Sequence, residues 1–174
     1  MFDLSLLPTA YILTIFPALM IFAAVGDAML MKISNRLVML VAISFFIGAF
    51  LISMPLMDVF IHTITAIGFY ILGFGLFCLR ISGAGDFKLL SVVALWLGPS
   101  NLLLFLMLMS FAGVFVVILY YKLRQYNIPL KLQRHFLFLE MIATGGKYVP
   151  YGIAICIGAL FTYQQSFWFE GILV

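Results

Sequence analysis

Apolar residues in this chain come in long unbroken runs, and the polar positions collect between them. Runs near 20 residues predict membrane-spanning helices, because a helix of that length covers a hydrocarbon core of about 30 Å. Hydropathy and breaking residues delimit six such spans. They run from about Leu7 to Val25, from Leu37 to Ser53 ahead of Pro55, and from Val59 to Leu79. A short one runs from Asp86 to Leu97 and stops at Gly98-Pro99-Ser100-Asn101; the last two run from Leu102 to Tyr121 and from Val149 to Tyr163. The stretch from Lys122 to Lys147 is the one long polar connection, holding Pro129 and Gly145-Gly146. Its Phe136-Leu137-Phe138-Leu139 segment suggests a piece lying on the membrane or on the protein. A basic loop over anionic lipid head groups and a substrate-contacting segment are the two readings of this connection. The predicted fold class is an all-α integral membrane protein, a six-transmembrane-helix bundle forming one domain over residues 1–174.

Composition removes the soluble alternative. The chain has 174 residues, of which 66% are hydrophobic and 9% charged, with a mean hydropathy of +1.26. A soluble domain carries about 25% charged residues. The pI near 9.0 does not point to nucleic acid, because the net charge is only +3 and the basic residues flank apolar runs. The first 25 residues lack the basic start of a signal peptide and carry Asp3 instead, so they are read as a retained first span.

Charge then orients the bundle. Lys32 and Arg36 follow the first span, Arg80 and Lys88 flank the third connection, and Lys122, Arg124, Lys131, Arg134 and Lys147 occupy the fifth. These are all nine Lys and Arg residues, and six spans put every one on the same side. The opposite side holds Asp3, Asp58 and Glu170. Basic loops favour the cytoplasm. Both termini are therefore expected on the extracytoplasmic side, in the cytoplasmic (inner) membrane, with the connections at Asp27 and Asp86 inside.

Metal and thiol chemistry find little support. Cys78 and Cys156 lie in apolar segments with no Cys or His nearby, and read as small buried apolar residues. His62 follows Asp58 by one helical turn, but no further ligand is visible, and His135 is a loop residue. No His-Glu-x-x-His string occurs, and no His deep in a span adjoins a serine. No metal and no cofactor is expected. Gly68, Gly73 and Gly75 read as sites of close helix packing.

Two acids carry more information. Asp27 and Asp86 abut apolar spans, where a carboxylate costs about 2.5–3.5 kcal/mol at mid-bilayer. If the fourth span reaches the outer face near Gly98, Asp86 lies about 18 Å back, roughly 10 Å inside the cytoplasmic boundary. Asp27 falls near a helix C-terminus, which disfavours negative charge. Each acid alone also has a structural reading: Asp86 as the N-cap of the fourth span, Asp27 as an interfacial acid paired with Lys32 or Arg36. Together they make a specific chemical proposal, in which two neighbouring carboxylates share one proton, one activating water and the other polarising a scissile carbonyl. Gly83 and Gly85 leave space beside Asp86 for an extended peptide. Lys88 either snorkels to the interface or contributes to the site, and Asn35 caps or stabilises the start of the second span. Pro150 and Gly152 either start the last helix or expose backbone to a substrate strand.

Gly83-Ala84-Gly85-Asp86-Phe87-Lys88 resembles the GxGD motif of type IV prepilin peptidases and related intramembrane aspartic proteases. The segment from Asp27 to Ile33-Ser34-Asn35 is similar to the family's first-aspartate motif, in which Ile-Pro-Asn follows the acid at fixed spacing. Pro150-Tyr151-Gly152 resembles its Pro-Tyr-Gly segment. The matches fall in order and cover almost the whole chain. The resemblance implies an aspartic-type endopeptidase with Asp27 and Asp86 as catalytic residues. Gly83, Gly85, Lys88, Asn35, Pro150, Tyr151 and Gly152 would be the motif or substrate-positioning residues.

Two departures narrow the resemblance. Ser34 stands where the family has Pro, so the turn before the second span is less rigidly set. A cysteine-bearing cytoplasmic insertion, linked to methylation in the long enzymes, has no counterpart here, so no separate methyltransferase domain is expected. The chain is thus similar to the short form serving Flp pili of the Tad type. The implied substrate is a small Flp-type prepilin, cleaved at the cytoplasmic membrane face, with membrane lipid as the other partner. An archaeal-type preflagellin peptidase or another GxGD protease is the near alternative, and a proton- or cation-coupled small transporter component is the alternative of another class; no inverted repeat supports the latter.

Overall fold

The computed structural model describes residues 6–79, 84–123, 125, 139–140, 143 and 149–170. Its elements are α1 (Leu6–Leu30), α2 (Asn35–Leu51), α3 (Leu56–Cys78), α4 (Ala84–Leu123), α5 (Tyr151–Tyr163) and the single turn α6 (Phe167–Glu170). No strand occurs among the described residues. Among the described residues, three helices are long and apolar enough to cross a membrane: Leu7–Leu30, Leu56–Cys78 and the 39-residue stretch Gly85–Leu123. The chain is a helical membrane protein on this composition; α2 and α5 are equally apolar but shorter.

Local chemistry sets the ends. The first helix continues past Val25 to Leu30 and stops at Met31, which takes the left-handed conformation at φ 50°. The Met31 N–H closes the last turn on the Asp27 carbonyl at 2.8 Å. Ser34, not Asn35, is the N-cap of α2: its hydroxyl accepts from the Arg36 N–H at 3.2 Å. Its φ of −70° is the value a proline would impose, so serine reproduces the expected turn and adds a cap. Pro55 and Pro150 occupy the N-cap positions of α3 and α5.

A single residue divides α4. Gly98 has φ 68° and ψ 176°, and a Cβ there would collide with the His62 imidazole, so both backbone and packing require glycine. Pro99 then opens the second arm with its φ already helical. The sequence-based connection from Gly98 to Asn101 thus shrinks to one residue. Helix α5 reveals the geometry of the bend. A Cβ on Gly158 would stand 2.8 Å from Met109 N, and one on Gly113 would stand 3.8 Å from the Ala154 Cβ, so the second arm runs antiparallel to α5. Trp96 packs on Tyr163, at the far end of α5, while Asp86 sits at the near end. The first arm is therefore parallel to α5, and α4 is a helical hairpin folded at Gly98.

The remaining helices continue the alternation. Along α2, Asn35 meets Lys88 and Val41 meets Trp96, so α2 runs with the first arm. Along α3, His62 meets Leu95 and Gly73 meets Phe87, so α3 runs against it. Helix α1 carries Ile12 to Tyr163 at one end and Asp27 to Gly152 at the other.

One end of the bundle is an aromatic cluster. Phe16 lies 4.5 Å from Tyr163 and 4.9 Å from Trp96 between ring centroids, and Trp96 lies 4.7 Å from Trp168. The polar edge of each large ring finds a backbone carbonyl. Trp96 Nε1 donates to Val41 O at 2.9 Å, Trp168 Nε1 to Trp96 O at 2.6 Å, and the Tyr163 hydroxyl to Ile12 O at 3.0 Å. His62 belongs to this scaffold: its Nδ1 is 2.8 Å from Leu95 O, and its ring stacks on Phe45. Of the three glycines of α3, only Gly73 is a packing site, since a Cβ there would strike the Phe87 ring. Gly68 and Gly75 face open space.

Candidate active site

The end of the bundle away from the aromatic cluster gathers the C-terminal turn of α1, the first turn of α4 and the N-terminus of α5. Asp27 sits in the last turn of α1, where the helix dipole opposes a carboxylate. The fold offsets this with the start of a different helix. The N–H of Gly152, one of the unpaired amides of the first turn of α5, donates to Asp27 Oδ2 at 2.8 Å. Asp27 is only 5% exposed. A Cβ on Gly152 would lie 2.7 Å from Asp27 Oδ2, so the approach depends on the missing side chain. Among the described residues no Lys or Arg pairs with Asp27, which sets aside the expected partners Lys32 and Arg36.

Asp86 is half-buried and close enough to Asp27 for the two charges to interact. It lies inside α4, which begins at Ala84, so it does not cap that helix. The side chains of 86, 87 and 88 leave the first turn in three directions. Asp86 interacts with Asp27 of α1, Phe87 packs where Gly73 of α3 leaves room, and Lys88 Nζ donates to Asn35 Oδ1 of α2 at 3.0 Å. Successive helical positions turn by about 100°, so Phe87 and Lys88 hold the turn from two sides while Asp86 faces α1.

The motif residues divide accordingly. Asn35 does not cap α2 but holds Lys88, and Lys88 has a partner instead of reaching alone to the interface. Pro150 starts α5, and the Gly152 amide is engaged by Asp27 instead of being offered to a substrate strand. Tyr151 is 48% exposed beside the site and borders a groove of about 360 Å³ along Gly113 and Val117 of α4. Neither aspartate lines that groove. A Cβ on Gly85 would stand 3.7 Å from the Ile33 Cβ, an ordinary contact, so packing alone does not demand glycine there. Gly83 and most of the 122–147 connection lie outside the described residues. The link between Phe87 and Gly73 was not evident from the motifs; the glycine was the only signal for it.

No group of His, Cys, Asp and Glu among the described residues is arranged to hold a metal. One carboxylate is fixed by a backbone amide and the other stands on a packed helical turn at the same end of the bundle. Such a pair suits activation of water against a peptide carbonyl. A model of the type IV leader peptidase family matches residues 14–118, which include both aspartates and end before Pro150-Tyr151-Gly152. No curated protein and no solved structure matches the chain. The family match spans more than half of the sequence, and the carboxylates it contains are brought together by the fold: the chain belongs to the type IV leader peptidase family.

Proposed function

We propose that this peptidase is a six-span aspartic endopeptidase of the cytoplasmic membrane, which removes the leader from small Flp-type prepilins at the cytoplasmic face. The observation that carries the reading is the convergence of Asp27 and Asp86, 59 positions apart in sequence, at one end of the helical bundle. The alternating helix directions support six crossings, with the two arms of α4 counted separately. The one-sided distribution of all nine basic residues supports both termini outside and the aspartates inside.

In this mechanism one carboxylate is ionised and the other protonated. The ionised carboxylate accepts a proton from water as the oxygen attacks the scissile carbonyl carbon. The protonated one gives its proton to the carbonyl oxygen, producing a gem-diol. Collapse of the diol breaks the C–N bond. The leaving nitrogen takes up one proton from the pair, and a diol hydroxyl returns one to it, so the pair ends with the single proton it began with. Water is consumed, and a carboxyl and an amine terminus are released. The Gly152 amide fixes the orientation of Asp27 throughout the resting state. Family membership favours this chemistry over the transporter reading, whose acids would relay ions instead.

The test is processing of a Flp-type prepilin in membranes carrying the wild type, Asp27→Asn or Asp86→Asn. Each substitution is isosteric, and cleavage is expected to fall to background in both. A stably expressed variant that still cleaves at the wild-type rate overturns the dyad. Reporter fusions to either terminus test the topology, with both expected to report an extracytoplasmic location.

A further inference from the structure

We infer that Lys88 and Asn35 form a clasp that fixes the spacing of Asp27 and Asp86, making both of them positioning residues. The inference rests on the aspartic peptidase reading. Asp27 lies in the last turn of α1, and the chain after that helix is irregular from 31 to 34 before α2 begins at Asn35. Asp86 stands two residues before Lys88, and residues at that separation point to nearly opposite sides of a helix. With Lys88 drawn to α2, Asp86 is turned away from α2 and toward α1. The bond of 3.0 Å from Lys88 Nζ to Asn35 Oδ1 therefore joins the segment that follows one aspartate to the turn that carries the other.

Two further contacts define the same geometry. Phe87 against Gly73 prevents the first turn of α4 from rolling, and Ile33 rests against Gly85. Neither is polar or directional. Among the described residues, the clasp is a directional contact between the two aspartate-bearing segments. The bond is exposed, and it joins the Lys88 ammonium to an amide oxygen 53 positions away. The acceptor is the side-chain oxygen of Asn35, the first residue of α2.

The experiment uses the full chain purified in detergent, with a Flp-type prepilin as substrate. Lys88→Met and Asn35→Leu are each expected to lower kcat about 100-fold with KM within about twofold, the penalty typical of misplaced catalytic groups. Lys88→Arg and Asn35→Asp, which keep donor and acceptor, are expected to recover most of kcat. The double variant Lys88→Met/Asn35→Leu is expected to be no worse than either single one. Losses that multiply, a loss confined to KM, or no rescue by the conservative variants would each overturn the clasp.

A second readout does not need activity. The ideal Cβ of residue 85 lies 3.7 Å from the Ile33 Cβ, a spacing that suits a disulfide. In a Cys78→Ser background, Ile33→Cys/Gly85→Cys is expected to oxidise readily, and at least tenfold more slowly once Lys88→Met is added. Equal oxidation rates would overturn the clasp even if the wild type cleaved no prepilin. A wild type that cleaves none, or Asp27→Asn and Asp86→Asn variants that still cleave, would instead overturn the peptidase reading.

Discussion

The backbone N–H of Gly152 donates to Asp27 Oδ2 at 2.8 Å, across 125 positions of chain. One residue at the start of the last long helix thereby holds a carboxylate at the end of the first. Asp27 cannot lose this bond without leaving a buried amide unpaired, and Gly152 cannot gain a side chain without displacing the acid.

Gly152→Ala is therefore expected to lower kcat by about two orders of magnitude, since its Cβ would arrive 2.7 Å from Asp27 Oδ2. Asp27→Leu is expected to cost about 1–3 kcal/mol of stability by orphaning the amide, while Asp27→Asn keeps an acceptor and stays near the wild type. Prepilin processing and thermal unfolding in detergent, measured on the same preparations, separate the two effects.

The α4 hairpin gives a second test. Gly98→Ala meets both a left-handed backbone and the His62 ring, so a loss of about 2 kcal/mol or more is expected. In a His62→Ala background the ring is absent but the backbone strain remains, and the penalty for Gly98→Ala should shrink without vanishing. Four melting curves complete the cycle.

The glycines of α3 should behave unequally. Gly73→Ala pushes on Phe87, beside Asp86, and is expected to reduce cleavage along with stability. Gly68→Ala and Gly75→Ala meet nothing within 4 Å and should stay within about 0.5 kcal/mol of the wild type. Alanine variants compared by prepilin processing and by melting temperature check this.

Met31 offers the opposite sign. It adopts φ 50° at the end of α1, a conformation that costs a side-chain-bearing residue about 1 kcal/mol or more. Met31→Gly is expected to raise stability by about 0.5–1 kcal/mol, where glycine elsewhere in the helices would lower it. Thermal unfolding of the purified variant measures it.

Much of this was legible in the sequence, for physical reasons. Carboxylates beside apolar runs are costly, so Asp27 and Asp86 stood out; the one-sided charges placed them together, and Gly98-Pro99 marked the break in α4. Burial was not legible. In a chain where lipid and core are both apolar, neighbours such as Phe45 (buried, 0% exposed) and Phe46 (47% exposed) look alike. The cap of α2 was assigned to Asn35 instead of Ser34 for a related reason. Either residue type can cap a helix, and only the position of Lys88 decides which one is needed elsewhere. The N-cap reading of Asp86 failed because α4 begins two residues earlier, a boundary that hydropathy does not resolve.

The aromatic cluster and the carboxylates occupy opposite ends of α5, and that separation acts as a lever. Tyr163 is pinned among Phe16, Trp96 and the Ile12 carbonyl, while Gly152 lies about 17 Å away along the helix. A tilt of about 5° about the pinned end moves Gly152 by about 1.5 Å, enough to release Asp27 Oδ2. The packing of the aromatic rings at one end of α5 thus helps to set the position of the amide that holds Asp27 at the other.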